Sequence, residues 1–227
     1  MNLVRAREIL DGFSGKQIIV IGDVMLDEYV WGQASRISPE APVIVVDAER
    51  QTHVPGGAAN VVNNLCALGA VGVIFGVIGD DEAGQRLKDA LIEEGAMTTG
   101  LLMEGGRPTT RKTRVFAHSQ QVVRVDHERR GPISPETTAE LLRLLHEVMR
   151  ESDAVVLSDY QKGVLSPAVL DGAIQIARDH AKPIVGNLKP SSFPGRCAAT
   201  VISINLHEAS LAMSGRHLGT SNEIAEA

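Results

Sequence analysis

Three short groups of residues have the types and spacing for chemistry on a hydroxylated, charged small molecule. Gly56-Gly57-Ala58-Ala59-Asn60 opens a stretch with helical periodicity. Glycines let a ligand approach the backbone, a helix N-terminus offers unsatisfied N–H groups, and an Asn amide can donate to and accept from a hydroxyl. The same residues would also serve a plain loop-to-helix turn. Gly22-Asp23-Val24-Met25-Leu26-Asp27 directly follows an apolar run, and Asp27 is a candidate acceptor for ligand hydroxyls. An Asp after a strand is more often a turn or cap residue than a ligand. Asn205-Leu206-His207-Glu208 sets an amide and a carboxylate at i and i+3, on one side of a first helical turn. Such oxygen ligands suit the hydration shell of Mg²⁺ near phosphates, and the spacing is also that of a capping box variant.

The elements that must position these groups are legible as alternating strands and helices. Gln17–Gly22 is a short β-branched apolar run that reads as a strand buried on both faces of a parallel sheet. Similar runs recur at Val71–Gly79, Ala154–Leu157, Pro183–Val185 and Thr200–Ile204. Helical patterns separate them at Gly57–Leu68, Ala83–Glu94, Pro135–Met149 and Pro167–Ala177. This alternation predicts an α/β fold with a parallel central sheet, and ligands gather at the carboxyl ends of the strands in such sheets. Two segments break the pattern. Tyr29–Val54 carries no helix signal, and Thr109–His127 alternates apolar and polar residues as antiparallel strands with one wet face do. Together they predict a small antiparallel β lid from about 29–54 and 109–127, covering one edge of the main sheet.

Composition excludes several classes. With 44% hydrophobic and 22% charged residues the 227-residue chain is globular rather than disordered. Only 3% of residues are aromatic, so Val, Ile, Leu and Ala must build the core. A net charge of −6 with no basic excess argues against a nucleic-acid partner. No run of ~18 apolar residues is present, so the sequence predicts no membrane span, and the N-terminal amphipathic pattern lacks the features of a signal peptide. Cys66 and Cys197 have neither a disulfide framework nor zinc-ligand spacing, and read as small buried hydrophobes of a cytoplasmic protein. His118, beside Gln120 and Gln121, lacks a second ligand and reads as lid surface. The segment HLGTSNEIAEA begins another helix that ends before it could bury a face, which leads us to expect a truncated chain.

In their order and settings the three motifs resemble the PfkB/ribokinase family of carbohydrate kinases. Gly56, Gly57, Asn60, Gly69 and Gly79 match the spacing of its first signature, with Val62 where the family usually has a small residue. The segments GDVMLDEYVWG, RISPEAP, PGGAAN, KTRVFAHSQQVVRVD and SDYQKGVL look like the heptose 7-phosphate kinase branch, the kinase module of bifunctional ADP-heptose synthases. The resemblance runs through nearly the whole chain from about Lys16. Two departures stand out. Gln161 replaces a more usual Gly, and Gly186-Asn187-Leu188-Lys189-Pro190 replaces the commoner Asp-Pro-Lys form.

That resemblance implies a ribokinase-like domain over 1–227 with its C-terminal part missing, ATP and Mg²⁺ as cofactors, and a cytoplasmic homodimer joined through the lid. It implies that Asp27, Gly56, Gly57, Asn60 and Asp159 hold sugar hydroxyls, with Arg36, Lys112 and Arg114 as a clamp for the distal phosphate. Asn187 and Lys189 would face the nucleotide phosphates, and Asn205 and Glu208 would organise Mg²⁺ indirectly, through water. The reaction implied is phosphoryl transfer from ATP to the anomeric hydroxyl of D-glycero-D-manno-heptose 7-phosphate, toward ADP-heptose for lipopolysaccharide. The family draws its catalytic base from a Gly-Ala-Gly-Asp motif that is not in this sequence, so no catalytic base is expected within the chain and the chain alone is expected to be inactive. Two alternatives stay open: another kinase of this family, acting on fructose, ribose or tagatose phosphates, and a sugar-phosphate-binding or dimerisation module without catalysis. A substrate panel separates the first, and sugar binding without turnover even in a full-length version favours the second.

Overall fold

The computed structural model describes residues 2–190 and 199–212. Cys197 and the expected C-terminal helix start lie outside them. The chain begins with α1 (Leu3–Asp11), capped by the Asn2 side chain and burying none of its residues. It continues through β1 (Gln17–Gly22), β2 (Val24–Ile37), β3 (Ile44–Gly57), α2 (Ala58–Ala67), β4 (Val71–Ile78), α3 (Glu82–Glu93) and β5 (Met97–Met103). Then follow β6 (Arg111–Ala117), β7 (Gln120–His127), α4 (Pro135–Met149), β8 (Ala154–Ser158), α5 (Pro167–Asp179), β9 (Ile184–Asn187), β10 (Val201–Ile202) and α6 (Leu206–Ala212). No described helix is long and apolar enough to cross a membrane.

Six strands form a parallel sheet in the order β10-β9-β8-β1-β4-β5. β1 lies in its interior, and its alternation sorts the core into two layers. Ile19 and Ile21 face α4 and α5 through Leu141, Leu145, Met149, Val169 and Leu170, whereas Val20 faces α2 and α3 through Val62, Leu87 and Leu91. Both α4 and α5 start with a serine N-cap followed by proline, which fixes their first turns. The sequence reading finds these elements within two or three residues of their bounds. It misses β5, where Thr98-Thr99-Gly100 dilutes the apolar signal. Gly100 is required there because a side chain would run into the Phe75 ring. β10 is shorter than Thr200–Ile204 because only Val201 and Ile202 pair with β9.

The lid differs from expectation in extent and pairing. It is a sheet in the order β3-β2-β6-β7, and β2 pairs with β6 in parallel, so the lid is mixed rather than antiparallel. β2 and β3 run as a long antiparallel pair from Val24 to Gly57. This pair of lid strands therefore starts one residue after β1 and ends at the glycine pair that opens α2. Glu28 pins three lid strands together, accepting from Gln51, His53 and Thr113, with Arg111 alongside. Burial would raise the Glu28 carboxyl, but these partners outweigh it and hold it below the usual carboxylate range. Tyr29, Trp31 and Phe116 stack on the opposite face, Trp31 and Phe116 at 4.4 Å between centroids.

Candidate functional site

The carboxyl ends of β1 and β8, the root of the lid and the start of α2 converge on one region. Asp27 is not in the turn after β1 but on β2, where Lys112 is its partner on β6. Its carboxylate accepts from the Arg114 guanidinium at 2.6 Å, and both side chains are about one-fifth exposed. Gly56 faces the same carboxylate so closely that a Cβ there would overlap it. Gly57 has φ +59° and ψ −132°, and a Cβ would meet the Asp23 carbonyl oxygen and the Met25 side chain. Glycine is thus the residue that lets the lid turn directly into α2. No side chain caps α2, and Asn60 is exposed in its first turn. Asp27, Gly56, Gly57, Asn60, Lys112 and Arg114 are therefore brought together at the lid root.

Arg36 is not brought to them. It sits seven residues beyond Tyr29 along β2, about 23 Å at a strand rise near 3.3 Å, and lies 3.7 Å from Asp47 on the outer lid. The expectation of one cluster fails because the register runs β2 far past the site before Arg36 is reached.

A second group lies at the ends of β8 and β9. Asp159 is buried; its carboxylate accepts the Gln161 N–H at 2.7 Å and the Lys189 N–H at 3.3 Å. Lys189 Nζ reaches Glu208 Oε1 at 2.6 Å and sits 5.9 Å from the Tyr160 ring. Asn205 and Glu208 exchange bonds, Asn205 N–H to Glu208 Oε2 at 3.0 Å and Glu208 N–H to Asn205 Oδ1 at 2.8 Å. This is a capping box, opening α6. The Lys189 ammonium, then the Asn205 N–H, holds the Glu208 carboxyl below the usual range. The Asn187 amide donates to the Ser203 carbonyl at 3.0 Å.

This donor set does not fit direct Mg²⁺ ligation. Both Glu208 oxygens are engaged, one by a cation, and Asn205 is spent on the helix cap. Among the described residues no three His, Cys, Asp or Glu side chains gather for a metal.

Sequence reasoning overlooks three residues here. Asp23, at the end of β1, is 1% exposed and accepts three backbone N–H bonds from the loop after β8. Burial pushes its carboxyl above the usual range; the three N–H donors pull it down and the Asp159 charge adds to the rise. Its place directly after a buried central strand is the signal that could have found it. Arg107 binds Glu104 at 3.0 Å and four carbonyls, of Arg129, Gly131, Pro132 and Lys162. Lys162 Nζ lies 2.7 Å from Glu128, both well buried. Nothing in local pattern marks these two.

Residues 16–227 match the family model described as pfkB family carbohydrate kinase. The chain is 44% identical over 192 residues to the bifunctional protein HldE of Wolinella succinogenes, covering 85% of this chain and 40% of that protein. It is 44% identical over 213 residues to that of Caulobacter sp. strain K31, covering 94% and 43%. The chain thus spans about two fifths of the length of these curated relatives. Among solved structures, phosphofructokinase-2 from Escherichia coli in its tetrameric inhibited form superposes with TM-score 0.72 at 15% identity, over 93% of this chain and 68% of that one. Arabidopsis thaliana ribokinase complexed with ribose and ATP gives 0.69 at 16%, over 93% and 67%.

Proposed function

The chain belongs to the pfkB family of carbohydrate kinases, and from that premise we propose that it forms the sugar-phosphate half of a heptose 7-phosphate kinase. The observation that carries this is the 44% identity to the N-terminal kinase part of HldE proteins over 85% of the chain. The branch-specific segments GDVMLDEYVWG, RISPEAP and SDYQKGVL support it. In this reading Asp27, Gly56, Gly57 and Asn60 hold the sugar hydroxyls, and Asp159 shapes the floor of the same pocket. Lys112 and Arg114 receive the distal phosphate. Arg114 also holds Asp27, so one guanidinium serves two ends of the substrate. Arg36, on the outer lid, has no part in this pocket within one chain.

ATP enters as its magnesium complex, as co-substrate. Lys189 faces its phosphates, and Asn205 and Glu208 act on the ion only through water. The anomeric oxygen bonds to the γ-phosphorus as the bond to ADP breaks. The hydroxyl proton passes to a general base, a role the family gives to a Gly-Ala-Gly-Asp motif that is not in this sequence, and on that reading these 227 residues alone bind without turning over. Homodimerisation is proposed through the lid, where β7 is exposed along its length and Val122, Val123 and Val125 face solvent. Sedimentation showing only monomer at high concentration would count against it.

The test is a calorimetric panel. D-glycero-D-manno-heptose 7-phosphate should bind at least about ten-fold more tightly than fructose, ribose or tagatose phosphates, a gap of about 1.4 kcal/mol. Preference for one of the other sugars would move the assignment to another kinase of the family.

A further inference from the structure

We propose that Asp23 is a positioning residue of the sugar-phosphate site, fixing the loop after β8 against the start of α2 without itself touching substrate. This rests on reading the region as a sugar-phosphate site. Asp23 Oδ2 accepts the N–H groups of Tyr160 and Lys162 at 2.9 and 3.0 Å, and Oδ1 accepts that of Val164 at 3.0 Å. Every second residue of the loop is tied to one carboxylate. The main chain of Asp23 reaches two other site elements. Its carbonyl accepts the Ala58 N–H at 3.0 Å, and its N–H donates to the Ser158 carbonyl at 3.2 Å. One residue therefore joins the ends of β1 and β8, the first residue of α2 and the loop that follows Asp159.

That loop needs restraint. Between the tethered Tyr160 and Lys162 stands Gln161 at φ +56°, a left-handed conformation that disfavours any side chain. Its N–H is bonded to the Asp159 carboxylate, so the strained residue and the proposed pocket floor are one unit. Arg107 grips the same loop from the other side through the Lys162 carbonyl at 3.2 Å. Lys162 is thus held through its N–H, its carbonyl and its side chain. A carboxylate this buried is unfavourable on its own account, and an apolar residue would be cheaper to bury. Its acceptor capacity is directed at the three N–H donors rather than at open space. Both features fit a residue retained to set geometry.

The test uses Asp23→Asn in the full chain, with three readouts: amide hydrogen exchange, the urea midpoint and the calorimetric Kd for heptose 7-phosphate. Asn offers one acceptor oxygen where the carboxylate offers two. Exchange at Tyr160, Lys162 and Val164 should accelerate about ten-fold or more, while Ile19 and Ile74 keep their protection. The Kd should weaken about ten-fold or more at a temperature where the variant is folded. A lower urea midpoint with an unchanged Kd would overturn the positioning role, since a merely structural residue would give that result. Should Asp23→Asn fail to fold, the double variant Asp23→Asn/Gln161→Gly relieves the left-handed strain. It should fold with sugar affinity between wild type and zero, and wild-type-like affinity would overturn the proposal. In the wild type, fast exchange at the three loop amides would also overturn it. Failure of the wild type to bind any sugar phosphate would instead overturn the functional reading, and with it the role given to Asp23, whatever the amides do.

Discussion

Replacing Gly57 with Ala tests the geometry on which the site is built. Gly57 combines φ +59° with ψ −132°, a region outside even the left-handed helical basin. A side chain in such a region costs about 1–3 kcal/mol. The added Cβ also overlaps the Asp23 carbonyl oxygen, which is held by the Ala58 N–H and cannot retreat without loosening that bond. Forcing a methyl into a packed position adds about 1–3 kcal/mol. Lower backbone entropy in the unfolded chain returns about 0.4–1 kcal/mol. The expected net loss is centred near ~3 kcal/mol within a span of about 1–5.5 kcal/mol, against a usual total of about 5–15 kcal/mol, so the variant should still fold. Gly106→Ala is the internal control. It also has positive φ, at +74°, but nothing lies within 4 Å of the added Cβ. Its cost should be only about 0.5–1 kcal/mol. Urea unfolding of both variants gives the difference directly, and a change in slope would show that more than stability has changed. Equal losses at Gly57 and Gly106 would refute the close-approach argument. A Gly57→Ala variant with unchanged stability would mean that the lid does not turn into α2 as described.

Ala181→Gly should stabilise the chain by about 0.5–1 kcal/mol, or about 1–4 °C in Tm. Ala181 has φ +50° at the end of α5, where Lys182 N–H returns to the Ala177 carbonyl at 2.8 Å, the setting in which helices favour glycine. Glu104→Ala should cost about 3 kcal/mol in urea unfolding, because it strips the buried Arg107 of the one carboxylate bonded to it among the described residues. Burial would raise Glu104, but the Ser134 N–H and Arg107 dominate and hold it below the usual range. The stability it contributes is therefore full above its unfolded pKa and is lost as pH falls through its lower folded pKa, so Glu104→Gln should flatten the acid limb of a stability–pH curve. Lys112→Ala should weaken heptose 7-phosphate binding about ten-fold in calorimetry, whereas Arg36→Ala, on the outer lid, should leave it within about two-fold. Equal effects of the two would contradict the placement of the phosphate.

The parallel core was legible because its signals are local. β1 and β8 are uninterrupted apolar runs, and Ser134-Pro135 and Ser166-Pro167 mark helix starts. The lid was only half legible. Val24, Met25 and Leu26 are as buried as the strand before them, so nothing in the sequence marks where one sheet stops and the next begins. The parallel pairing of β2 with β6 joins segments far apart in the chain, and alternation within each strand is silent about direction. The glycine pair and Asn60 were recognisable by residue type and spacing. Asp23 had only its place after a buried strand to mark it, and Arg107 nothing, because most of their partners are backbone groups 22 to 141 residues away. Asn205 and Glu208 show the converse case: their local signal is real, and in the fold it is spent on capping α6 and holding Lys189.

The central claim is that the lid root and the start of α2 form a heptose 7-phosphate site. Its most direct test is a backbone amide NMR titration of the chain with D-glycero-D-manno-heptose 7-phosphate. Saturable shifts should gather at Asp27, Gly56 to Asn60, Lys112 to Arg114 and Asp159 to Lys162, and leave α1 and the outer lid around Arg36 undisturbed. Saturable binding with shifts elsewhere, or no shifts at millimolar sugar phosphate, would contradict the account.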